Sequence, residues 1–437
     1  MSQPSSMQSS TEGVALGGAV GGAAGGAAVR RVPPERRRPW WYWPVVAAVG
    51  LIVLSLTRVV TGANDIDSSG ALAAALALAA PIALAGLGGL WSERAGVVNI
   101  GLEGMMILGT WGAGFFGSNF GAWQGLLGAI LMGVVGGAVH AVATVVFGVD
   151  HIVSGVAVNL LGLGAASYLA VRTFVATGGT QSPSLPDLPR VTIGPLSDWF
   201  GGLEQGHTFV VADVASVLRA LVTQLPVVTI LVVVLLVLSW WILWRTAFGL
   251  RLRSCGESPV AAETLGVHVY RYKFLAVLIS GGLAGLGGGF LAMVASNLYR
   301  EGQTGGRGYI GLAAMIFGNW RPGGLAGGAG LFGYADAIYL RGGGDVIHAY
   351  LLPLALFLVA WGGWQLWRRR QGKPVIGVMS VVMAVVVFGW FLLTSTFPKE
   401  LTGMTPYLAT LLVLAFASQR LRMPAADGLV YRKGEAQ

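Results

Sequence analysis

Apolar stretches of about 20 residues follow one another along most of the 437-residue chain, and most of them are long enough to cross a bilayer as a helix. Lipid cannot satisfy backbone N–H and C=O groups, so only helices and closed β-barrels span a membrane. Hydrophobic residues make up 54% of the chain and charged residues 11%, whereas soluble proteins carry about 25% charged residues. The sequence therefore predicts an all-α polytopic membrane protein.

We identify twelve apolar segments. They cover residues 42–62, 71–91, 97–118, 121–148, 151–175, 225–245, 274–298, 308–320, 323–340, 348–367, 375–396 and 403–419. The segments 308–320 and 323–340 are at or below the length that crosses a bilayer in a straight line. Residues 1–38 are rich in Ser, Gly and Ala and end in a basic run, which predicts a disordered cytoplasmic tail before a membrane domain over residues 39–437.

Positive charge indicates the orientation of the chain. If the N-terminus is inside and all twelve segments cross, the inner parts hold 20 Lys and Arg residues and the outer parts hold 8. The positive-inside rule then predicts that both termini are cytoplasmic. The polar stretch 176–224 becomes an extracellular loop that caps the outer mouth, and 246–273 becomes a cytoplasmic loop. The net charge of +9 therefore need not mean binding to nucleic acid, and we expect contact with membrane lipid and no nucleic-acid partner.

The sequence contains no pattern for a metal or a cofactor. A single cysteine, Cys255, excludes a disulfide framework and any multi-cysteine metal site. No spacing of His, Asp and Glu suggests a metal ion, so we expect none to be bound. We expect His140 to be a hydrogen-bonded packing residue and Asp336 to form a pair between helices.

Two parts of the chain resemble each other. Residues 99–111, NIGLEGMMILGTW, and residues 309–320, YIGLAAMIFGNW, share Ile-Gly-Leu, a Met, a Gly and a Trp. In the orientation above, the first copy begins at the inner face and the second at the outer face. This arrangement predicts two inverted repeats with broken helices, and such repeats bind solute at their interface near the bilayer midplane.

Polar residues in the apolar segments are the candidates for a substrate pathway. They are Asn99, Glu103, Asn159, Tyr309 and Asn319. A carboxylate in such a segment needs a partner or a watery cavity, so Glu103 bonds either the solute or the backbone amides of a broken helix. We expect Asn99 mainly to satisfy backbone groups freed at the break. Asn159 either contacts solute or hydrogen-bonds a neighbouring helix.

The cytoplasmic loop contains a short helix signal, ESPVAAETLG, at residues 257–266. Ser258 is a good N-cap, Pro259 suits the first helical position, and Gly266 can end a helix in the left-handed conformation. A helix of about two turns is unstable alone in water, so we expect it to be docked. It is either a connector on the membrane surface or a helix presented to a cytoplasmic partner.

Several motifs resemble one known family. GESPVAAETLGV is similar to the coupling-helix loop of permease subunits of ATP-binding-cassette importers for ribose, nucleosides and related solutes. ERAGVVNIGLEGMM, GYIGLAAMIFGNWRPGG and DHIVSGVAVNLLGLGAASYL resemble the nucleoside branch of that family, as does TPYLATLLVLAFASQRLRMPAADGLVYRKG. The resemblance covers about residues 71–345 and 403–434.

The resemblance implies a permease of the bacterial plasma membrane that works with a cytoplasmic ATPase, a second permease subunit in a heterodimer and an extracellular solute-binding lipoprotein. The residues that contact the ATPase would be Glu257, Ser258, Pro259, Ala261, Ala262, Glu263 and Gly266. The chain has no G-x-x-x-x-G-K-[ST] motif, so it is not predicted to be an enzyme, and the partner subunit would use the ATP.

Two alternatives and one departure from the family accompany this prediction. A ribose-type sugar permease is the first alternative to a nucleoside permease, and an ion-coupled secondary transporter is the second. Residues 348–396 form a hydrophobic hairpin in addition to an expected ten-helix family core, and we predict a peripheral packing or assembly role for it.

Overall fold

The structure is a computed structural model that describes residues 41–367, 374–398, 401, 404 and 421–434. The predicted tail 1–38 lies outside the described residues, as does the predicted segment 403–419 except for Met404. The chain divides into two compact units, Met1–Ala47 and Ala48–Gln437. Of the first unit only residues 41–47 are described, at the start of helix α1.

The described residues are predominantly helical. The α-helices are α1 (Tyr42–Thr61), α2 (Ser69–Arg94), α3 (Leu102–Phe120), α4 (Ala122–Ala141), α5 (His151–Thr173), α6 (Gly194–Gln205), α7 (Val211–Val222), α8 (Val227–Arg245), α9 (Ala247–Glu257), α10 (Pro259–Thr264), α11 (Val269–Phe290), α12 (Arg307–Phe317), α13 (Pro322–Ala337), α14 (Gly343–Trp367) and α15 (Pro374–Leu393). Short π-helical turns extend α4, α11 and α13.

Each predicted segment from 42–62 to 375–396 corresponds to a helix. Among the described residues, seven helical stretches are long and apolar enough to cross a membrane. They are Asn64–Arg94, Ala122–Val146, His151–Thr173, Val227–Arg245, Val269–Ala295, Gly343–Trp367 and Val375–Leu393. The predicted all-α polytopic membrane protein is therefore confirmed.

Helices α2 and α11 form the centre of the bundle and pack on each other. Helix α2 also packs on α12 and α13, whereas α11 also packs on α3 and α4. Glycines permit this close packing: a Cβ atom added to Gly285 would lie 2.3 Å from the carbonyl oxygen of Ala129, and one added to Gly109 would lie 2.3 Å from that of Gly285. Small residues bring membrane helices together in this way.

Two non-helical stretches interrupt the bundle. Helix α2 ends at Arg94, Gly96 takes a left-handed conformation (φ 82°), and α3 starts only at Leu102. The second stretch, residues 296–306, lies between the π-helical turn after α11 and the start of α12. The predicted helix break near Asn99 is therefore confirmed, and a second break precedes the repeated sequence at Tyr309.

The stretch 176–224 is an ordered cap on one face of the bundle. It contains α6 and α7, and its two-residue strand β1 (Arg190–Val191) pairs antiparallel with β2 (Leu225–Pro226). Glu204 on α6 accepts a hydrogen bond from the Ser69 amide (2.9 Å) at the start of α2. Helices α9 and α10 lie by the other end of α2, where Glu257 approaches Arg94 at 3.9 Å. We call these two sides the α6 face and the α10 face.

Helices α14 and α15 form the predicted hairpin. They pack closely where a Cβ atom on Gly362 would lie 2.9 Å from the carbonyl oxygen of Gly377. The start of α14 contacts the core through a hydrogen bond between the Tyr334 and Tyr350 hydroxyls, while Tyr334 also donates to the Ile66 carbonyl (2.6 Å). Most of α15 is exposed, so its apolar surface faces outward from this chain.

Candidate functional site

Side chains from several helices satisfy the backbone groups of the first break. The break lies among residues 95–101, which are mostly buried, and an unsatisfied backbone group there would cost several kcal/mol in lipid. The hydrogen bonds are Ser92 Oγ to the Val97 carbonyl (2.6 Å), His140 Nε2 with the Val98 carbonyl (3.1 Å), the Val98 amide to His151 Nδ1 (3.3 Å) and Lys273 Nζ to the Gly96 carbonyl (3.2 Å). The prediction that His140 is a hydrogen-bonded packing residue is confirmed.

Asn159 on α5 joins the first break to the start of α12. Its Oδ1 accepts a hydrogen bond from the Gly104 amide (2.7 Å), and its Nδ2 donates to the Ile100 carbonyl (3.0 Å). Nδ2 also lies 2.9 Å from the Tyr309 hydroxyl. Asn159 therefore makes the predicted type of hydrogen bond to neighbouring helices, here α3 and α12. Asn159 caps α3, because Gly104 is one of the amides left free in its first turn.

Asn99 does not bond the backbone of the break, so its expected main role was wrong. Its Nδ2 donates to the Ser280 hydroxyl on α11 (2.8 Å) and lies 3.5 Å from Met105 Sδ. Its Oδ1 is buried and has no hydrogen-bond partner among the described residues. His140, His151 and Asn159 reach the backbone instead, because they project from helices that flank the break.

Glu103 binds the start of α12 through both of its carboxylate oxygens. Oε1 accepts a hydrogen bond from the Gly306 amide (2.9 Å), and Oε2 accepts one from the Gly308 amide (2.7 Å). The first-turn amides of a helix carry partial positive charge and favour an anion. Only 7% of Glu103 is exposed, so the carboxylate is buried against this helix terminus. It braces one broken helix against the other.

The two helix starts meet about halfway along α2. Next to Glu103, Gly308 begins the helix whose residue Gly311 lies against Gly86 and Ile82 near the centre of α2. The structure thus brings Asn159 and Tyr309 into contact with each other, while Glu103 contacts the start of α12 next to Tyr309. Asn319 is separate, because it follows α12 at the opposite end. Asp336 pairs with Arg307 at 3.4 Å, which confirms its predicted interhelical pairing.

The predicted short helix is present on the α10 face. Ser258 Oγ accepts a hydrogen bond from the Ala261 amide (3.4 Å), Pro259 begins α10, and Gly266 is left-handed (φ 82°). Pro259 and Ala262 are buried against the protein, whereas the opposite side of the helix is open. Leu265 at its end is 83% exposed, so an apolar side chain projects from this face.

Two of the remaining predicted coupling residues, Ala261 and Glu263, lie on α10 itself, and Glu257 ends the preceding helix α9. Ala261 is exposed and Glu263 is half-buried. Glu257 at the end of α9 accepts a hydrogen bond from the Ala425 amide (3.3 Å), and Glu263 accepts one from the Tyr431 hydroxyl. A cavity of about 440 Å³ lies beside them, lined by residues of the α10–α11 connection together with Tyr431 and Lys433.

Residues 421–434 are further functional candidates, although none of them is among the predicted coupling or pathway residues. They return to the α10 face, where Ala426 and Tyr431 are buried. Burial raises the pKa of Asp427 to about 7, although the Glu93 hydrogen bond and the charges of Lys273 and Arg94 act in the opposite direction. The feature of the sequence that could have indicated a role for this segment is Asp427, an acidic residue within the apolar motif MPAADGLV.

No group of three or more His, Cys, Asp or Glu residues in the described parts of the chain could hold a metal ion. The one cysteine is also poorly suited to chemistry. Burial raises the pKa of the Cys255 thiol to about 11, so the thiol stays protonated at neutral pH.

Comparison with known proteins decides the family. The family model described as branched-chain amino acid transport system / permease component matches residues 71–361. The chain belongs to this permease family. No solved structure gives a significant match to it.

Three relatives match over most of their length. The guanosine ABC transporter permease protein NupQ of Bacillus subtilis is 37% identical over 83% of this chain and 96% of its own. The nucleoside ABC transporter permease protein NupC of Lactococcus lactis is 31% identical over 81% of this chain and 94% of its own. The putative glucose ABC transporter permease protein TsgC13 of Haloferax volcanii is 33% identical over 82% and 96%.

This permease is a transporter subunit and not an enzyme, as the sequence predicted. ATP hydrolysis belongs to a separate ATPase subunit, and a solute-binding protein is the other partner that the family implies. An ion-coupled secondary transporter is therefore wrong for this chain.

Asn159→Ala should destabilise the protein because it leaves the Gly104 amide and the Ile100 carbonyl without partners. Each buried unsatisfied group costs about 1–3 kcal/mol, so we expect a loss of about 2 kcal/mol or more in unfolding free energy. Thermal unfolding of the detergent-purified protein measures it. Asn119→Ala is the control, because that exposed side chain bonds only the Phe115 carbonyl and its own neighbour. Equal losses in the two variants would contradict the bridging role.

Proposed function

We propose that this permease imports nucleosides across the plasma membrane, driven by an ATPase that docks on α10. The similarity to a guanosine permease and to a nucleoside permease over most of the chain carries the choice of solute. The polar groups near the midplane fit an uncharged, hydrogen-bonding solute. Asn159 and Tyr309 offer neutral polar groups there, while the Glu103 charge is already bound to backbone amides.

The pathway in this proposal runs past Tyr309 and Asn159. Tyr309 is 47% exposed and Asn159 is half-buried, so both can be reached by a solute. Glu103 lies behind them and holds the start of α12, and Asn99 lies deeper still against Ser280. Asn319 has no contact with this group and is left out of the pathway.

The proposed topology is two inverted repeats and twelve crossings, with both termini in the cytoplasm. Helix packing supports it: α2 packs on α12 and α13, and its counterpart α11 packs on α3 and α4. Each repeat thus packs its first helix on the broken helix of the other. The π-helical turns that extend α4 and α13 occupy matching places in the two copies.

Helix α10 is the proposed docking site of the ATPase. Its buried side, with Pro259 and Ala262, fixes it to the permease, and its open side presents Val260, Ala261 and Leu265. Apolar side chains exposed together on one face mark a site of interaction with a protein or a membrane. ATP is used by that partner. We further propose a heterodimer with a second permease and delivery of solute by an extracellular lipoprotein.

A sugar is the second candidate solute, because a relative named as a putative glucose permease is 33% identical to this chain. Both solute classes are uncharged and rich in hydroxyl groups. They differ in the base, which a sugar lacks and which an aromatic ring such as that of Tyr309 can stack on.

Leu265→Asp should abolish solute-stimulated ATP hydrolysis by the reconstituted complex, because it places a charge in the proposed apolar contact. We expect at least about a tenfold loss, equivalent to about 1.4 kcal/mol of docking energy. Copurification of the ATPase with the permease gives an independent measure. Leu196→Asp is the matched control, since Leu196 is 41% exposed on α6 at the opposite face. Unchanged stimulation in Leu265→Asp would rule out docking at this helix.

Tyr309→Phe should weaken solute uptake because it removes one hydroxyl from the proposed pathway. The loss of a hydrogen bond worth about 1 kcal/mol should raise the uptake KM about fivefold. Tyr339→Phe, at a tyrosine that is 44% exposed beyond α13, is the control. An unchanged KM for Tyr309→Phe would remove Tyr309 from the pathway.

The choice of solute can be measured on the complete transporter. Guanosine, adenosine, uridine, ribose and glucose are supplied in turn to the complex with its solute-binding protein, and ATP hydrolysis and uptake are followed. We expect nucleosides to stimulate both and the two sugars to leave both at the basal level. Stimulation by a sugar alone would replace the nucleoside assignment with the sugar alternative.

A further inference from the structure

Residues 421–434, which we call the C-terminal segment, are bonded to both helices of the coupling loop. The Ala426 amide donates to the Gly256 carbonyl (2.8 Å), and the Ala425 amide donates to Glu257 at the end of α9. Tyr431 donates its hydroxyl proton to Glu263 on α10. Lys433 Nζ also lies 3.8 Å from the Glu263 carboxylate. The C-terminal segment is therefore bound directly to α10, the helix that is followed by the exposed Leu265.

The same segment is bonded to the end of α12. The Arg422 amide donates to Asn319 Oδ1 (2.8 Å) in the turn that joins α12 to α13. Asn319 and Trp320 in this turn both have left-handed backbones, with φ of 55° and 52°. This conformation costs about 1–2 kcal/mol for a residue such as Trp320, whereas asparagine adopts it more readily. Such strain persists only where surrounding contacts hold it, and it is common in elements that switch.

Helix α2 holds the turn from the other side. The Arg94 guanidinium donates twice to the Trp320 carbonyl (2.8 and 3.0 Å), and the Trp320 indole donates to Glu93 (2.5 Å). Asp427 of the C-terminal segment is buried on the same side, where the charges of Lys273 and Arg94 act on its carboxyl group. The strained turn thus lies between α2 and the C-terminal segment.

We propose that the C-terminal segment is a mechanical link that passes movement of α10 to the strained turn and so to α12. Tyr431 provides its hydrogen bond to α10 and Asn319 its hydrogen bond to the turn, and both act as positioning residues. Helix α12 is a rigid rod of 11 residues whose other end is bound by Glu103 near the proposed pathway. Nucleotide-driven displacement of α10 therefore moves the helix start beside Tyr309. This link rests on the proposed docking of the ATPase at α10.

The test uses the complete transporter in proteoliposomes and measures solute taken up per ATP hydrolysed. Asn319→Gly removes the acceptor for Arg422 and also suits the left-handed backbone, so the variant should fold. Tyr431→Phe removes the bond to Glu263 and keeps the ring. We expect each to lower the ratio about fivefold or more, the usual scale of coupling between sites, while copurification of the ATPase is unchanged. Asn319→Asp keeps an acceptor oxygen and should restore the ratio.

A double variant checks that both residues belong to one route. If the Tyr431 and Asn319 hydrogen bonds lie in series on one route, Asn319→Gly combined with Tyr431→Phe should be little worse than either alone, because the two effects are then not additive. Independent losses that multiply would overturn the single link.

Two outcomes separate this inference from the proposed function. If Leu265→Asp abolishes stimulation but Asn319→Gly and Tyr431→Phe keep the wild-type ratio, the link is wrong and docking at α10 stands. A lower melting temperature with an unchanged ratio leads to the same conclusion, since the segment would then be only a structural brace. If Leu265→Asp itself leaves stimulation unchanged, the docking of the ATPase at α10 is what fails.

Discussion

The structure depends on satisfying backbone groups where helices stop inside the bundle. Lipid supplies no hydrogen bonds, so a break at that depth exists only if side chains of other helices reach it. Here each break receives such a group at the following helix start. Asn159 accepts from the Gly104 amide of α3, and Glu103 accepts from the Gly306 and Gly308 amides around the start of α12. These caps fix α3, α5 and α12 relative to one another and create a polar centre in an apolar protein.

The two caps explain why only one copy of the repeated sequence carries a carboxylate. Glu103 on α3 serves the start of α12, so its partner is the other repeat and not its own. The reciprocal position is filled from α5 by a neutral amide, Asn159. One acid is then sufficient for the pair of helix starts.

Much of the helical framework could be predicted because its signals are local. Apolar length located α1–α5, α8 and α11–α15, and Ser258, Pro259 and Gly266 located α10 to within a residue. Helices α6, α7 and α9 lie in stretches predicted only as loops. Glycine content and Asn99 indicated the first break. These features depend on the backbone and on neighbours a few residues apart, which a sequence displays directly.

The contacts that assemble the site could not be predicted in the same way, because they join residues far apart in the chain. Asn159 and Tyr309 are 150 positions apart, and Arg422 and Asn319 are 103 apart. The sequence predicts that Asn99 bonds the backbone of its own break, yet its amide donates to the Ser280 hydroxyl on α11. Nothing in the local sequence of the C-terminal segment indicates that it binds α10, because its contacts are with residues far away in the chain.

The glycine-lined contacts between α11 and its neighbours have a consequence for motion. Helices that interlock through large side chains must unpack before they can slide. At Gly133, Gly281 and Gly285 the backbones of α4 and α11 touch directly, with no side chain of these residues between them. Shear of α11 along α4 by small displacements would therefore need no rotamer change at these three positions. A single bulky substitution at one of these glycines would place a side chain against the backbone of the facing helix and would hinder such a displacement.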